Sequence, residues 1–340
     1  MRAAFCEQPG EMVVREVDAP EIRQGDALVR VAACGICGSD LHWYGGGVPV
    51  PRVCPGHEIV GEVIAVRGGS RAREGDRVAV EPLRPCGSCA RCRRDQYHLC
   101  AELQILGIQE DGGLADIVRV PCSGLFPLPR QLDFASGVLV EPLAVSVHAA
   151  RLAEIGEGDR VLVLGSGSIG LLSIAAARHR GAREIVATAR YAHQAAAATM
   201  LGATTVFGTD REGRHGLRDL ALGGDIDVVI ETVGGTARTL EQAVQVVAPG
   251  GRIVVLGVFE KAPLFPALML LFKEIRVIGS MVYNRVEGIS DFDVAIDILE
   301  NAAGSLQGLV THRFALDDCD RAFGTAADKR TGAVKVVIEP

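Results

Sequence analysis

Short β-branched and apolar runs, broken by Gly and Pro, fill the first 130 or so residues. They fall at positions 27–32, 58–66, 76–80 and 115–120. Alternation of apolar and polar positions predicts half-buried strands, and the Gly-Asp and Pro punctuation predicts turns. The texture changes near Asp133. A continuous apolar run at 160–164 predicts a strand covered on both faces, and 169–180 carries a helical pattern. A strand at 184–188, an Ala-rich helix at 192–201 and strands at 227–230 and 252–256 follow. Repeated strand–helix units predict a parallel sheet with helices on both faces. After about Tyr283 the pattern is mixed, and a closing strand at 333–338 is expected to return to the first domain. The fold class is therefore α/β: a β-rich domain over 1–147, a doubly wound domain over 148–284 and a returning part over 285–340.

Composition narrows the function classes. The 340 residues suggest about two domains, and 48% apolar with 23% charged residues suits a globular chain with a large core. A net charge of −7 argues against nucleic acid and a polybasic membrane contact. The basic trio Arg91, Arg93 and Arg94 reads as a solvated rim. No apolar run reaches the length of a membrane span; 268–272 is short and ends at Lys273 and Glu274. The first residues lead straight into a strand-like segment, so no signal peptide is expected. Ten cysteines without such a signal suit a reducing, cytoplasmic setting. Cys6, Cys34, Cys54, Cys122 and Cys319 have no partner spacing and read as small buried hydrophobes.

Cys86, Cys89, Cys92 and Cys100 form a C-x2-C-x2-C-x7-C cluster. Four thiolates within fifteen residues can close around one tetrahedral zinc and leave no site for substrate. The segment around them has few apolar residues, so metal would have to fold it. A disulfide pair or idle thiols is the competing reading.

Gly165-Ser166-Gly167-Ser168-Ile169-Gly170 is a GxGxxG between an expected strand and an expected helix, a context that makes the pattern specific. Gly165 would allow the tight turn, Gly167 the approach of a pyrophosphate, and Gly170 close helix–strand packing. Ser168 and Ile169 open the helix, whose free N–H groups favour anions. At the end of the next strand, where an NAD site usually places an acid, the chain reads Thr188-Ala189-Arg190. Without a carboxylate at Ala189, and with a guanidinium at Arg190, a 2′-phosphate meets attraction rather than repulsion. The expected cofactor is NAD(P), with NADP preferred.

A further set of ligand types is dispersed along the chain: Cys37 in Gly-Ile-Cys-Gly-Ser-Asp-Leu-His, His57 and Glu58 in Gly-His-Glu, and Glu141 in Glu-Pro-Leu. Spacing alone does not select them. Taken in order with the four-cysteine cluster and the GxGxxG, however, these segments resemble the zinc-dependent medium-chain alcohol dehydrogenases. Glu141-Pro142-Leu143 resembles their sorbitol (polyol), butanediol and threonine dehydrogenase branch. The resemblance covers nearly the whole chain. It implies a GroES-like catalytic domain, a Rossmann domain and two zinc ions per chain, one catalytic and one structural. It implies Cys37 and His57 as catalytic-zinc ligands, with Glu58 or Glu141 as the third. Asp40 would support His57, Ser39 would accept the substrate's hydroxyl proton, and His42 would pass it on. The implied reaction moves a hydride between a secondary alcohol, diol or polyol and NAD(P), giving the ketone. A non-catalytic zinc- and nucleotide-binding relative is the alternative. After the last strand of the doubly wound domain, where the polyol branch often carries a substrate-holding arginine, the chain reads Gly279-Ser280-Met281-Val282-Tyr283-Asn284-Arg285, and Trp43 and Tyr44 read equally as pocket or packing. The segment 275–279 reads as an edge strand, and the family's pairing of such edges implies a homodimer or homotetramer.

Overall fold

The computed structural model describes residues 1–224, 226–302 and 304–340. The chain divides into two compact units, Met1–Pro142 with Asn284–Pro340, and Leu143–Tyr283.

The first unit opens with a hairpin, β1 (Arg2–Gln8) and β2 (Glu11–Glu16). β3 (Asp26–Gly35), helix α1 (Gly38–Tyr44), β4 (Glu58–Arg67) and β5 (Arg77–Val80) follow. Two-residue strands β6 (Leu83–Arg84) and β7 (Gln104–Ile105) pair across the base of the cysteine-rich loop. β8 (Ile117–Pro121), β9 (Leu125–Pro127) and the single turn α2 (Phe134–Gly137) complete this stretch. The boundary between the units falls inside α3 (Val140–Leu152).

The second unit alternates strand and helix: β10 (Arg160–Leu164), α4 (Ser168–His179), β11 (Glu184–Ala189), α5 (Ala192–Leu201) and β12 (Thr205–Gly208). It continues with α6 (Arg211–Leu222), β13 (Val228–Glu231), α7 (Thr239–Val246), β14 (Arg252–Val255), α8 (Ala267–Lys273) and β15 (Arg276–Gly279). The six strands are all parallel in the order β12-β11-β10-β13-β14-β15. Strand order reverses between β10 and β13, the switch point where doubly wound sheets bind ligands. Val161 to Leu164 of β10 are fully buried, which is why that segment reads as a continuous apolar run.

The returning part begins with a hairpin, β16 (Arg285–Val286) and β17 (Ile289–Ser290). Its two turn residues, Glu287 and Gly288, have φ of +52° and +84°, as a type I′ turn requires. Then come α9 (Asp291–Asn301), β18 (Val310–Ala315), α10 (Cys319–Ala327) and β19 (Lys335–Glu339). β19 pairs antiparallel with β3, joining the C-terminal strand to the sheet β18-β19-β3-β4-β5-β9. Trp43 and Tyr44 pack against Phe323 of α10 with ring centroids 5.3 and 5.2 Å away. Cys6, Cys34, Cys54, Cys122 and Cys319 are buried, and burial pushes the Cys54 thiol up to about 12. Among the described residues no helix is long and apolar enough to cross a membrane.

Candidate active site

β3 ends at Gly35, and two residues later Cys37 occupies the N-cap of α1. Asp40, one turn into that helix, accepts a hydrogen bond from the Cys37 backbone N–H at 3.0 Å. Its other oxygen lies 3.7 Å from Nδ1 of His57. One buried carboxylate thus faces both the cap of α1 and the residue that precedes β4. The ligand atoms of Cys37, His57 and Glu58 all lie within 4.8 Å of one another. Burial works against charge on the His57 ring, but Asp40 and Cys37 outweigh it and hold its pKa well above the usual value. Thiol, imidazole and carboxylate within this span are a donor set that fits a zinc ion.

Glu58 is fully buried opposite Gly35 in the β3–β4 ladder. A Cβ on Gly35 would stand 1.9 Å from a Glu58 carboxylate oxygen, so only glycine leaves room for it. Both Glu58 oxygens accept hydrogen bonds from Lys335 Nζ at 2.6 Å, and the same ammonium donates to the Ile36 carbonyl at 3.3 Å. Burial alone would lower the Lys335 pKa; Glu58, then Cys37, more than offset it. Glu141, in the first turn of α3, is buried and close enough to act electrostatically on both His57 and Lys335. It stands outside the mutually close trio. Ser39 and His42 are half-buried on α1, three residues apart and therefore neighbours on one helix face.

The four remaining ligand candidates converge in the loop between β6 and β7. The Cys89 sulfur lies 3.5 Å from that of Cys92 and 3.9 Å from that of Cys100, and Cys86 lies 4.0 Å from Cys92. These separations are far beyond a disulfide bond of about 2.05 Å, and all four are free. Backbone N–H groups of Cys89 and Cys86 donate to the sulfurs of Cys86 and Cys100. The Cys92 backbone leads in pulling the Cys89 thiol down to about 6, while desolvation and the neighbouring sulfurs push Cys92 up to about 12. Four thiolates this close repel unless a cation sits among them, so the shell fits a closed structural zinc.

In the second unit Gly165 has φ of +95°, and a Cβ there would stand 2.5 Å from Val233 Cγ2. A Cβ on Gly170 would stand 1.8 Å from the Gly165 carbonyl oxygen, whereas nothing lies within 4 Å of one on Gly167. The glycines thus divide into turn, packing and open approach. Gly167 caps α4 without any side-chain hydrogen bond, and the Ser168 hydroxyl is buried without a partner among the described residues. The Ile169 carbonyl accepts from Ser146. The helix N-terminus therefore keeps donors for an anionic group. Thr188 ties the end of β11 to this turn: its hydroxyl accepts from Gly165 N and its carbonyl from Ser166 Oγ, both at 2.9 Å. Ala189 is buried beside it, while Arg190 is exposed with its guanidinium 5.6 Å from the Tyr191 ring centroid. This arrangement fits a dinucleotide.

Sequence reasoning missed Lys335 and Glu231. A lysine opening the otherwise apolar run Lys335-Val336-Val337-Ile338 was the available signal, because a buried strand lysine needs a partner.

Residues 23–130 match the alcohol dehydrogenase GroES-like domain family, and residues 168–301 match the zinc-binding dehydrogenase family. The chain belongs to the zinc-dependent medium-chain alcohol dehydrogenases, in their polyol branch. The D-xylulose reductase of Scheffersomyces stipitis is 32% identical over 95% of this chain and 94% of its own. The sorbitol dehydrogenase of Bacillus subtilis is 29% identical over 100% and 97%. An NADP-bound structure from Sinorhizobium meliloti has 33% identity and a TM-score of 0.88, covering 100% of this chain and 99% of that one.

Proposed function

We propose that this protein is a zinc-dependent oxidoreductase that moves a hydride between a secondary alcohol, diol or polyol and NAD(P), giving the ketone. The observation that carries this reading is the buried trio of Cys37, His57 and Glu58, drawn from separate segments to within 4.8 Å. Cys37 and His57 hold a catalytic zinc, with Glu58 or Glu141 as the carboxylate ligand; Cys86, Cys89, Cys92 and Cys100 hold a second, structural one. Bound at the first site, zinc supplies a Lewis acid that lowers the pKa of a substrate hydroxyl. Asp40 fixes the tautomer and orientation of His57. Ser39 takes the hydroxyl proton, and His42, one turn along the same helix face, passes it to solvent.

The turn from Gly165 to Gly170, with Ser168 and Ile169 at the start of α4, receives the dinucleotide's pyrophosphate. NADP is the preferred form: Ala189 leaves no carboxylate against a 2′-phosphate, Arg190 offers a cation, and the similar Sinorhizobium structure is bound to NADP. The protein acts as a homodimer or homotetramer. In support, β15 ends the six-stranded sheet, and Leu268, Leu271 and Phe272 of the preceding helix α8 are 67 to 77% exposed. Free cysteines support a cytoplasmic location.

The test is a spectrophotometric screen of diols, polyols and secondary alcohols with both cofactors, alongside metal analysis. About two zinc per chain and turnover of a secondary alcohol are expected. Full activity without metal would overturn the reading.

A further inference from the structure

The end of β13 carries a buried acid that none of the roles above uses. Glu231 is fully buried. Its Oε1 accepts three hydrogen bonds: from Val233 N at 2.9 Å, Gly234 N at 3.0 Å and Thr239 Oγ1 at 2.6 Å. Thr239 is the first residue of α7, so this one oxygen ties the loop after β13 to the next helix. Oε2 is buried with no partner among the described residues. It lies against Gly257, where a Cβ would stand 2.3 Å away.

The loop that Glu231 holds forms the flank of the glycine turn. Thr232 Oγ1 donates to the carbonyls of Leu164 and Gly165 at 2.8 and 3.1 Å. Val233 Cγ2 occupies the space next to Gly165 that any side chain there would need. Gly234 and Gly235 both have φ of +59°, so the loop's path turns sharply just after this contact. Thus the chain of contacts runs from Thr239 through Glu231 to the Val233 and Gly234 amides, and from Thr232 and Val233 to Gly165. All of it sits at the β10–β13 switch point.

The geometry points to Glu231 as a positioning residue for dinucleotide binding, acting with Thr239 to fix the 232–235 loop against Gly165 and so to set the shape of the phosphate turn. This inference rests on the reading of Gly165 to Gly170 as the dinucleotide site. A turn that binds through backbone N–H groups tolerates displacements of only about 0.5 Å. A loop freed from Glu231 therefore weakens the dinucleotide without touching it. What the site requires from residue 231 is an acceptor, not a charge. Glu231→Gln can present its carbonyl oxygen to the same three donors, whereas Glu231→Leu cannot.

The experiment measures NADPH and NADH dissociation constants on the full zinc-loaded chain by fluorescence. Steady-state kinetics, melting temperature and zinc content are followed in parallel. Glu231→Leu is expected to weaken NADPH binding about tenfold or more, and Thr239→Val, which removes one of the three donors, about threefold. In both, the dinucleotide KM rises while kcat at saturating dinucleotide stays near wild type. Glu231→Gln is expected to bind within about threefold of wild type. Should Glu231→Leu fail to fold, Thr239→Val decides. Unchanged dissociation constants in the variants, or a lowered kcat and melting temperature with binding intact, would overturn the proposal while leaving the dinucleotide reading in place. A wild-type chain that binds neither nucleotide would sink that reading, and this inference with it.

Discussion

Replacing Lys335 with methionine tests the buried ion pair beside the metal trio. The side chains of Lys335 and Glu58 are 2% and 0% exposed, and Nζ stands 2.6 Å from both carboxylate oxygens. Methionine keeps most of the volume and removes the ammonium, leaving the Glu58 carboxylate buried without the cation that holds both of its oxygens. Breaking one side of such a pair costs about 3–5 kcal/mol, because an uncompensated charge remains in the interior. Against a domain stability of about 5–15 kcal/mol, this is a large fraction. At about 2–4 °C per kcal/mol for a unit of this size, the melting temperature of the metal-free chain should fall by roughly 10 °C. The double variant Lys335→Met with Glu58→Gln should regain much of that loss, since removing both charges is far less costly than removing one. Zinc should also return part of it to the single variant, because the freed Glu58 carboxylate already lies in the span of Cys37 and His57 and a ligand bound to the native state stabilises it. Scanning calorimetry with chelator and with added zinc measures all three. A single variant within about 1 °C of wild type, or a double variant less stable than the single, would refute the reasoning.

Three further outcomes are expected. Asp40→Asn keeps an acceptor for the Cys37 N–H but loses the charge that faces His57, so zinc affinity at the catalytic site should drop about 10- to 100-fold in a chelator competition, with the four-cysteine site unaffected. Glu81 is buried, and burial raises its carboxyl to about 7. Between its unfolded pKa of about 4.3 and about 7, the folded chain therefore keeps a proton that the unfolded chain releases. Stability should fall as pH rises through that window, by at most about 3–4 kcal/mol, and Glu81→Gln should flatten the curve of melting temperature against pH; a steeper curve would contradict it. Arg190→Ala should lower kcat/KM for NADP about tenfold, as loss of a charge-assisted hydrogen bond predicts, with little change for NAD; equal losses with both would remove Arg190 from cofactor choice.

Where strand and helix follow from local pattern, the chain is legible. The run at 160–164 coincides with β10 (Arg160–Leu164), because a strand buried on both faces must be apolar throughout. The helix expected at 192–201 is α5 (Ala192–Leu201), ended by Gly202 at φ +114°. Boundaries shift by up to three residues elsewhere: the strand expected at 27–32 is β3 (Asp26–Gly35) and the one expected at 333–338 is β19 (Lys335–Glu339), since pairing with neighbouring strands, not composition, decides where a strand starts and ends. The hairpin at Arg285–Ser290 went unread, because its turn rests on Glu287 in a left-handed conformation that its residue type does not advertise. Trp43 and Tyr44, which read equally as pocket or packing in the sequence, pack against Phe323, a residue 280 positions away from Trp43.

The primary structure alone established the clusters whose members are neighbours along the chain. Four cysteines between positions 86 and 100, or six residues from Gly165 to Gly170, need only a loop or a turn to meet, and their residue types state the chemistry. Tertiary structure alone brought Lys335 to Glu58 across 277 positions, and settled which flank Glu231 holds. Those meetings depend on the register of β19 on β3, of β3 on β4 and of β13 on β10, which is fixed when whole sheets bury their faces and not by any short stretch of side chains.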